Sequence, residues 1–130
     1  MHSAAKPRVV IIDDNEMIRE VLRVMLRSHE YDVAGEATDG DSGLEVTISE
    51  RPDIVCLDVT MPTTDGLTVL KEIKQKLPHT VVLMVTGNRD RDTVQAALKD
   101  GADGFILKPF NTGTVIDTVR KALTKSRTLN

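Results

Sequence analysis

The stretch RVVIIDDNEMIREVLRVML, residues 8–26, holds two structural periods in immediate succession. Val9-Val10-Ile11-Ile12 is a continuous β-branched run, the pattern of a strand covered on both faces in a parallel sheet. Asp13-Asp14-Asn15 interrupts it. Ile18, Val21, Leu22, Met25 and Leu26 then recur at i, i+3, i+4, i+7 and i+8, one stripe of an amphipathic helix. A strand, an acidic turn and a helix make one βα unit.

The unit repeats along the chain. Ile54–Leu57, Val81–Val85 and Phe105–Leu107 are further buried-strand runs, and Val33–Ala37 alternates like an edge strand. Between them lie helical stripes: Leu67, Leu70, Ile73 and Leu77; Val94, Ala97 and Leu98; Val115, Val119, Ala122 and Leu123. Leu44 and Ile48 predict a shorter helix. Pro52 and Pro78 follow helical segments, and Asp41, Asp65, Asp90 and Asn111 stand where helices need N-caps. Five alternating βα units predict an α/β fold, a doubly wound parallel sheet with helices on both faces. The expected organisation is one domain over residues 1–130 with its core at about 8–125, loose only at Met1–Lys6 and Ser126–Asn130.

Composition narrows the function. Of 130 residues, 17 are Lys or Arg and 20 are Asp or Glu, a formal charge of −3, which gives no electrostatic footprint for nucleic acid. Tryptophan is absent, and Tyr31, Phe105 and Phe110 do not form a base-stacking surface. A single cysteine excludes an intrachain disulfide and a multi-cysteine zinc site. No apolar run reaches the roughly 20 residues that span a bilayer, and Met1–Pro7 lacks a hydrophobic signal core. The expectation is a cytoplasmic protein that contacts neither membrane nor nucleic acid directly.

In an open α/β sheet the ligand sits beyond the carboxyl ends of the strands. There the sequence places Asp13 and Asp14 after the first strand, Asp58 with Thr60, Met61 and Pro62 at the third, Thr86 at the fourth, and Lys108-Pro109-Phe110 after the fifth. Converging carboxylates repel unless a cation intervenes. Mg²⁺ suits them, because it takes one or two carboxylates, keeps waters and completes its octahedron with phosphate oxygens. The set describes a metal-assisted phosphoryl site in which one carboxylate can be the nucleophile. There is no Walker-A loop, no G-x-G-x-x-G after the first strand and nothing to hold a nucleotide base. The donor must therefore bring its own phosphoryl group.

The Asp13-Asp14 pair, Asp58 followed by Met61-Pro62 and Gly66, Thr86, and Lys108-Pro109-Phe110 together resemble the receiver domain of two-component response regulators, over about residues 8–125. The resemblance implies a flavodoxin-like sheet of order 2-1-3-4-5. It implies that Asp58 is the phosphoacceptor, that Asp14, Asp58 and the Thr60 carbonyl bind Mg²⁺, and that Asp13 reaches the ion through water. Lys108 would pair with phosphoryl oxygens, and its bond to Pro109 would be cis. Thr86 would be the switch hydroxyl and Phe105 the switch aromatic. The partners would be a histidine kinase or histidine phosphotransfer protein, and an output protein met by the surface of the fourth helix, fifth strand and fifth helix.

Other features read more plainly. Cys56, two residues before Asp58, is a buried small hydrophobe. His2, His29 and His79 share no metal-ligand spacing and are surface residues. Residues 39–50 carry acids at positions 1, 3 and 12 of a calcium loop, but Leu44 stands where that loop needs glycine, so they read as a loop and helix start. Arg89–Asp92 and Arg120, Lys121, Lys125 and Arg127 are charges of solvated helix faces. Thr60 and Asn88 are the residues that bear on phosphoryl lifetime in receivers. An Mg²⁺-dependent phosphatase is the rival class, but Thr60 stands where haloacid-dehalogenase-like enzymes carry a second aspartate. A third possibility is the receiver part of a longer regulator with an output domain. Winged-helix regulators have an acidic pair here, whereas Asp103 is followed by Gly104, and Thr118 replaces their fifth-helix arginine.

Overall fold

The computed structural model describes residues 5–87 and 90–129, with side chains through Ser126. The expectations for His2, Asn88, Arg89, the Arg127 side chain and the looseness of Met1–Ala4 and Asn130 lie outside the described residues. Five strands alternate with five helices: β1 Arg8–Ile12, α1 Glu16–Ser28, β2 Asp32–Ala37, α2 Gly40–Glu50, β3 Ile54–Asp58, α3 Gly66–Lys76, β4 Val81–Thr86, α4 Arg91–Lys99, β5 Gly104–Leu107 and α5 Thr112–Leu129. All strand pairs are parallel, in the order β2-β1-β3-β4-β5. The predicted order and fold class therefore hold.

Strand alternation divides the core into two layers. Val9, Ile11, Ile54, Cys56, Leu83, Val85 and Ile106 face Leu22 and Leu26 of α1 and Val115 and Val119 of α5. Val10, Ile12, Val55, Leu57, Val82 and Met84 face Val69, Leu70 and Ile73 of α3 and Ala97 of α4. β1, β3 and β4 are almost completely buried, which is why their apolar runs are unbroken. Cys56 is fully buried, and burial pushes its thiol up to about 12, so it stays protonated and unreactive.

The sequence expectations need four corrections. Phe105–Leu107 is not a run covered on both faces: β5 is an edge strand in which only Ile106 is buried. Asp39, not Asp41, caps α2, accepting from the Ser42 amide at 2.8 Å; Asp41 falls in the first turn. The buried face of α2 is Gly40, Gly43 and Thr47, while Leu44 is only half-buried and Ile48 is exposed. Here the helix lies too close to the sheet for large side chains, since a Cβ on Gly43 would sit 2.7 Å from Ile12. Finally, α5 continues through Ser126 to Leu129 instead of loosening there. The remaining caps are as read, with Asp65, Asp90 and Asn111 accepting from the amides of Leu67, Thr93 and Thr114. Asn15 caps α1.

Thr47 leaves one testable defect in α2. Its hydroxyl is fully buried with no hydrogen-bond partner in the protein. A buried hydroxyl of this kind costs free energy that a methyl group does not. Thr47→Val should stabilise the protein by about 1 kcal/mol, read as a higher urea midpoint at an unchanged slope. A lower midpoint would mean that the hydroxyl is satisfied, for instance by buried water.

Candidate functional site

Three strand ends build the site, and each is tied to its neighbour by one further ladder-like hydrogen bond. Asp13 N donates to Ala37 O at 3.1 Å, Val59 N to Val85 O at 3.1 Å, and Lys108 N to Thr86 O at 2.9 Å. The parallel register therefore continues past the strands and aligns the acidic turn, the Asp58 end and the lysine loop. Asp58 ends β3 opposite Val85, and Thr86 ends β4 opposite Leu107.

Alternation decides which groups meet. Asp13 continues the Val9–Ile11 set and Asp58 the Ile54–Cys56 set, both on the α1/α5 face. Lys108 comes to the same place: its Nζ lies 3.7 Å from Asp13 Oδ2 and 3.8 Å from Asp58 Oδ1. Asp14, exposed at the rim, completes the group, and carboxylate oxygens of Asp13, Asp14 and Asp58 come within 4.8 Å of one another. Thr86 continues the Val82–Met84 set, and Phe105 packs half-buried against that second layer. The expected reacting groups and the expected switch pair thus stand on opposite faces of one sheet edge.

The electrostatics of the cluster are unbalanced. Asp13 is 1% exposed; its Oδ1 accepts from Asn15 N at 2.9 Å, while its Oδ2 is buried with no hydrogen-bond partner. Asp58 is 5% exposed and accepts only one backbone bond, from Thr60 N at 3.2 Å. Burial first, and then the negative charge of Asp13, raises the Asp58 carboxyl from 3.8 to about 6; Lys108 and the Thr60 amide pull it back in part. Three ionised carboxylates against one ammonium leave two negative charges uncompensated. The donors are all hard oxygens, and one of them, Asp13 Oδ2, is buried without a hydrogen bond. That combination fits a hard divalent cation such as Mg²⁺.

All the expected site residues therefore gather at this end of the sheet, and the Lys108–Pro109 peptide is cis. Thr60 follows the acceptor candidate and bridges to Asp65 across the β3–α3 loop. Residues 40–50 are helical, as the loop-and-helix reading of the calcium-like segment expects, and His29 and His79 are exposed. Asp103 is engaged structurally, accepting from Lys74 Nζ at 2.7 Å and Val82 N at 2.9 Å. On α5, exposed Arg120 and Lys121 pair with Asp117. Sequence reading missed one group beside the site. Arg19 of α1 donates to the Asp13 carbonyl at 2.7 Å and pairs with Glu36 of β2. Its signal, an arginine six residues after an acidic turn, is too common to read without coordinates.

Comparison with known proteins agrees with this geometry. The family model described as "Response regulator receiver domain" matches residues 9–120. The chain is 36% identical over 114 residues to the chemotaxis protein CheY of Thermotoga maritima, covering 88% of this chain and 95% of that one. It is 35% identical over 116 residues to protein CcdB of Bacillus subtilis, covering 89% and 97%. Among solved structures, the signal receiver domain of NarL from Mycobacterium tuberculosis superposes with a TM-score of 0.85 at 35% identity, covering 93% of this chain and 98% of that one.

Proposed function

This chain belongs to the response regulator receiver domain family of two-component signalling, and we propose that within it Asp58 is the carboxylate that takes the phosphoryl group. One observation carries the assignment. Asp58 is the buried acid at the strand end where Asp13, Asp14 and Lys108 converge, and Lys108 is held between it and Asp13. Asp14 is exposed, and Asp13 is the most deeply buried of the three, its Oδ1 on the Asn15 amide and its Oδ2 shut from solvent, whereas Asp58 ends β3 and keeps some exposure.

The donor is a phosphohistidine on a histidine kinase or histidine phosphotransfer protein. An ionised Asp58 oxygen bonds to phosphorus as the phosphorus–nitrogen bond breaks, the imidazole leaves with that electron pair, and an acyl phosphate remains. Lys108 Nζ, already within 4.0 Å of two carboxylates, turns toward the incoming phosphoryl oxygens. Asp13, Asp14, Asp58 and the Thr60 carbonyl would hold Mg²⁺, which when bound supplies positive charge against the phosphoryl oxygens. Thr86, at the end of β4, then moves toward the new group, its loop shifts, and Phe105 follows on the face that it shares with Thr86. The readout is a changed α4–β5–α5 surface offered to an output protein. The chain acts as a phosphoacceptor that stops at one labelled carboxylate, not as a turnover phosphatase. Among the described residues no helix is long and apolar enough to cross a membrane, in keeping with a receiver that meets its partners in the cytoplasm.

The metal assignment has its own test. Mg²⁺ that binds only the folded chain stabilises it by mass action, by about 1.4 kcal/mol at tenfold its dissociation constant, and so raises the melting temperature. Wild type should show this rise across a Mg²⁺ series, and Asp14→Ala should not. A flat wild-type series would remove Mg²⁺ from the site.

A further inference from the structure

We propose that Arg19, held by Glu36, is a positioning residue that fixes the acidic turn in the shape a divalent cation needs; this rests on the assignment of Mg²⁺ to Asp13, Asp14 and Asp58. Arg19 reaches back from the second turn of α1, and its Nη1 donates to the Asp13 carbonyl oxygen at 2.7 Å. Its Nε lies 3.4 Å from Glu36 Oε1, and the other oxygen of Glu36 accepts from Arg23 Nη1 at 2.6 Å. Both Arg19 and Glu36 are mostly buried, with side chains 15% and 22% exposed.

Three of the four polar groups of Asp13 are anchored by hydrogen bonds. Its amide is fixed by Ala37, its carbonyl by Arg19 and its Oδ1 by the Asn15 amide. Oδ2 alone is left without a hydrogen bond. The turn carries two adjacent acids facing a third, and their repulsion favours any backbone rotation that separates them. Arg19 opposes that rotation by gripping the peptide that joins Asp13 to Asp14. It does so without competing for the cation, because it bonds a carbonyl and not a carboxylate. Outer groups that orient metal ligands in this way commonly change metal affinity about 10-fold or more when removed.

Arg23 supplies the control. It shares Glu36 with Arg19 and sits one turn further along α1, but makes no bond to the acidic turn. The experiment is a Mg²⁺ titration of the metal-free protein, followed by the amide NMR shifts of Asp13, Asp14 and Asn15, on wild type, Asp14→Ala, Arg19→Ala, Arg19→Lys and Arg23→Ala. The proposal expects Arg19→Ala to weaken Mg²⁺ binding about 10-fold. Arg23→Ala should stay within about twofold of wild type, and Arg19→Lys, which keeps one donor for the carbonyl, should fall between. Labelling by acetyl phosphate should show the same split: the half-saturating Mg²⁺ concentration rises in Arg19→Ala while the rate at saturation stays near wild type. If Arg19→Ala and Arg23→Ala weaken binding equally, or neither does, while Asp14→Ala abolishes it, Arg19 only stabilises α1 against β2 and the proposal is overturned. If wild type itself does not saturate, or Asp14→Ala binds like wild type, the metal assignment falls and this proposal with it. Should Arg19→Ala fail to fold, Arg19→Lys against Arg23→Ala decides by the same comparison.

Discussion

Asp58→Asn is expected to abolish labelling by acetyl phosphate and Mg²⁺, and also to make the metal-free protein more stable at neutral pH. The first effect follows from the chemistry, since an amide has no anionic oxygen to attack phosphorus. The change is nearly isosteric, so the fold survives it. The second follows from the environment. Burial and the charge of Asp13 raise the Asp58 carboxyl from 3.8 to about 6. A folded-state value above the unfolded one means that the folded chain holds its proton longer. Stability contributed by this group therefore falls as pH rises from about 4 to about 6, and the penalty is complete above that window. The rise corresponds to about 3 kcal/mol at neutral pH, and Asn, which does not ionise, escapes it. Melting curves of the two proteins without Mg²⁺ should separate at pH 7 and converge below pH ~4, where both side chains are neutral. Added Mg²⁺ should narrow the neutral-pH gap, because the cation offsets in wild type the charge that the substitution removes. A gap that is constant across pH would mean that Asp58 is not the group under strain.

Gly66→Ala should be the most damaging single methyl group in the chain. Gly66 opens α3, and its amide donates to Val59 O at 3.0 Å, which folds the β3–α3 loop back on the end of β3. A Cβ there would lie 2.4 Å from the Asp58 carbonyl oxygen and 2.8 Å from Val59 Cα. Both are backbone atoms, so no side chain can rotate out of the way. Relief requires α3 or the end of β3 to shift, and the Asp58–Thr60 segment carries the proposed acceptor and the amide that holds it. The expected loss is about 3 kcal/mol, offset only in part by the roughly 1 kcal/mol by which alanine favours a helix over glycine. Urea denaturation reads the loss, and the labelling rate at saturating Mg²⁺ should fall with it. Gly113→Ala is the comparison: its Cβ would meet only Asn111 Oδ1 at 3.4 Å, and stability should hold or rise. Equal tolerance of both substitutions would show that the loop is not packed as tightly as described.

These two cases also show where the sequence could be read and where it could not. β1, β3 and β4 are buried on both faces, so their apolar runs announced them, and the acids that follow had to converge because parallel strands end on one edge. Gly66 entered the sequence reading only as part of a family pattern; the reason for it, a carbonyl 2.4 Å from where a methyl group would stand, is a tertiary distance. The error at α2 has the same origin. Leu44 and Ile48 form a reasonable stripe, but close approach to Ile12 turns Gly40, Gly43 and Thr47 inward instead. The Arg19–Glu36 clamp joins a helix to an edge strand across a contact that no periodicity encodes. The proposed acceptor site and the proposed switch pair, by contrast, are separated by parity alone: Asp13 and Asp58 alternate onto one face, Thr86 and Phe105 onto the other.

The central claim is that Asp58 carries the phosphoryl group, and borohydride reduction of the phosphorylated protein tests it most directly, because an aspartyl phosphate is converted to homoserine at the acceptor position. Trypsin separates the candidates, releasing Asp13 and Asp14 in the peptide Val9–Arg19 and Asp58 in Ser28–Lys71, since Pro52 protects the Arg51 bond. After treatment with acetyl phosphate and Mg²⁺, the account predicts homoserine at position 58 and unmodified aspartate at 13 and 14. Homoserine at 13 or 14, or none in either peptide from a fully folded protein, would contradict it.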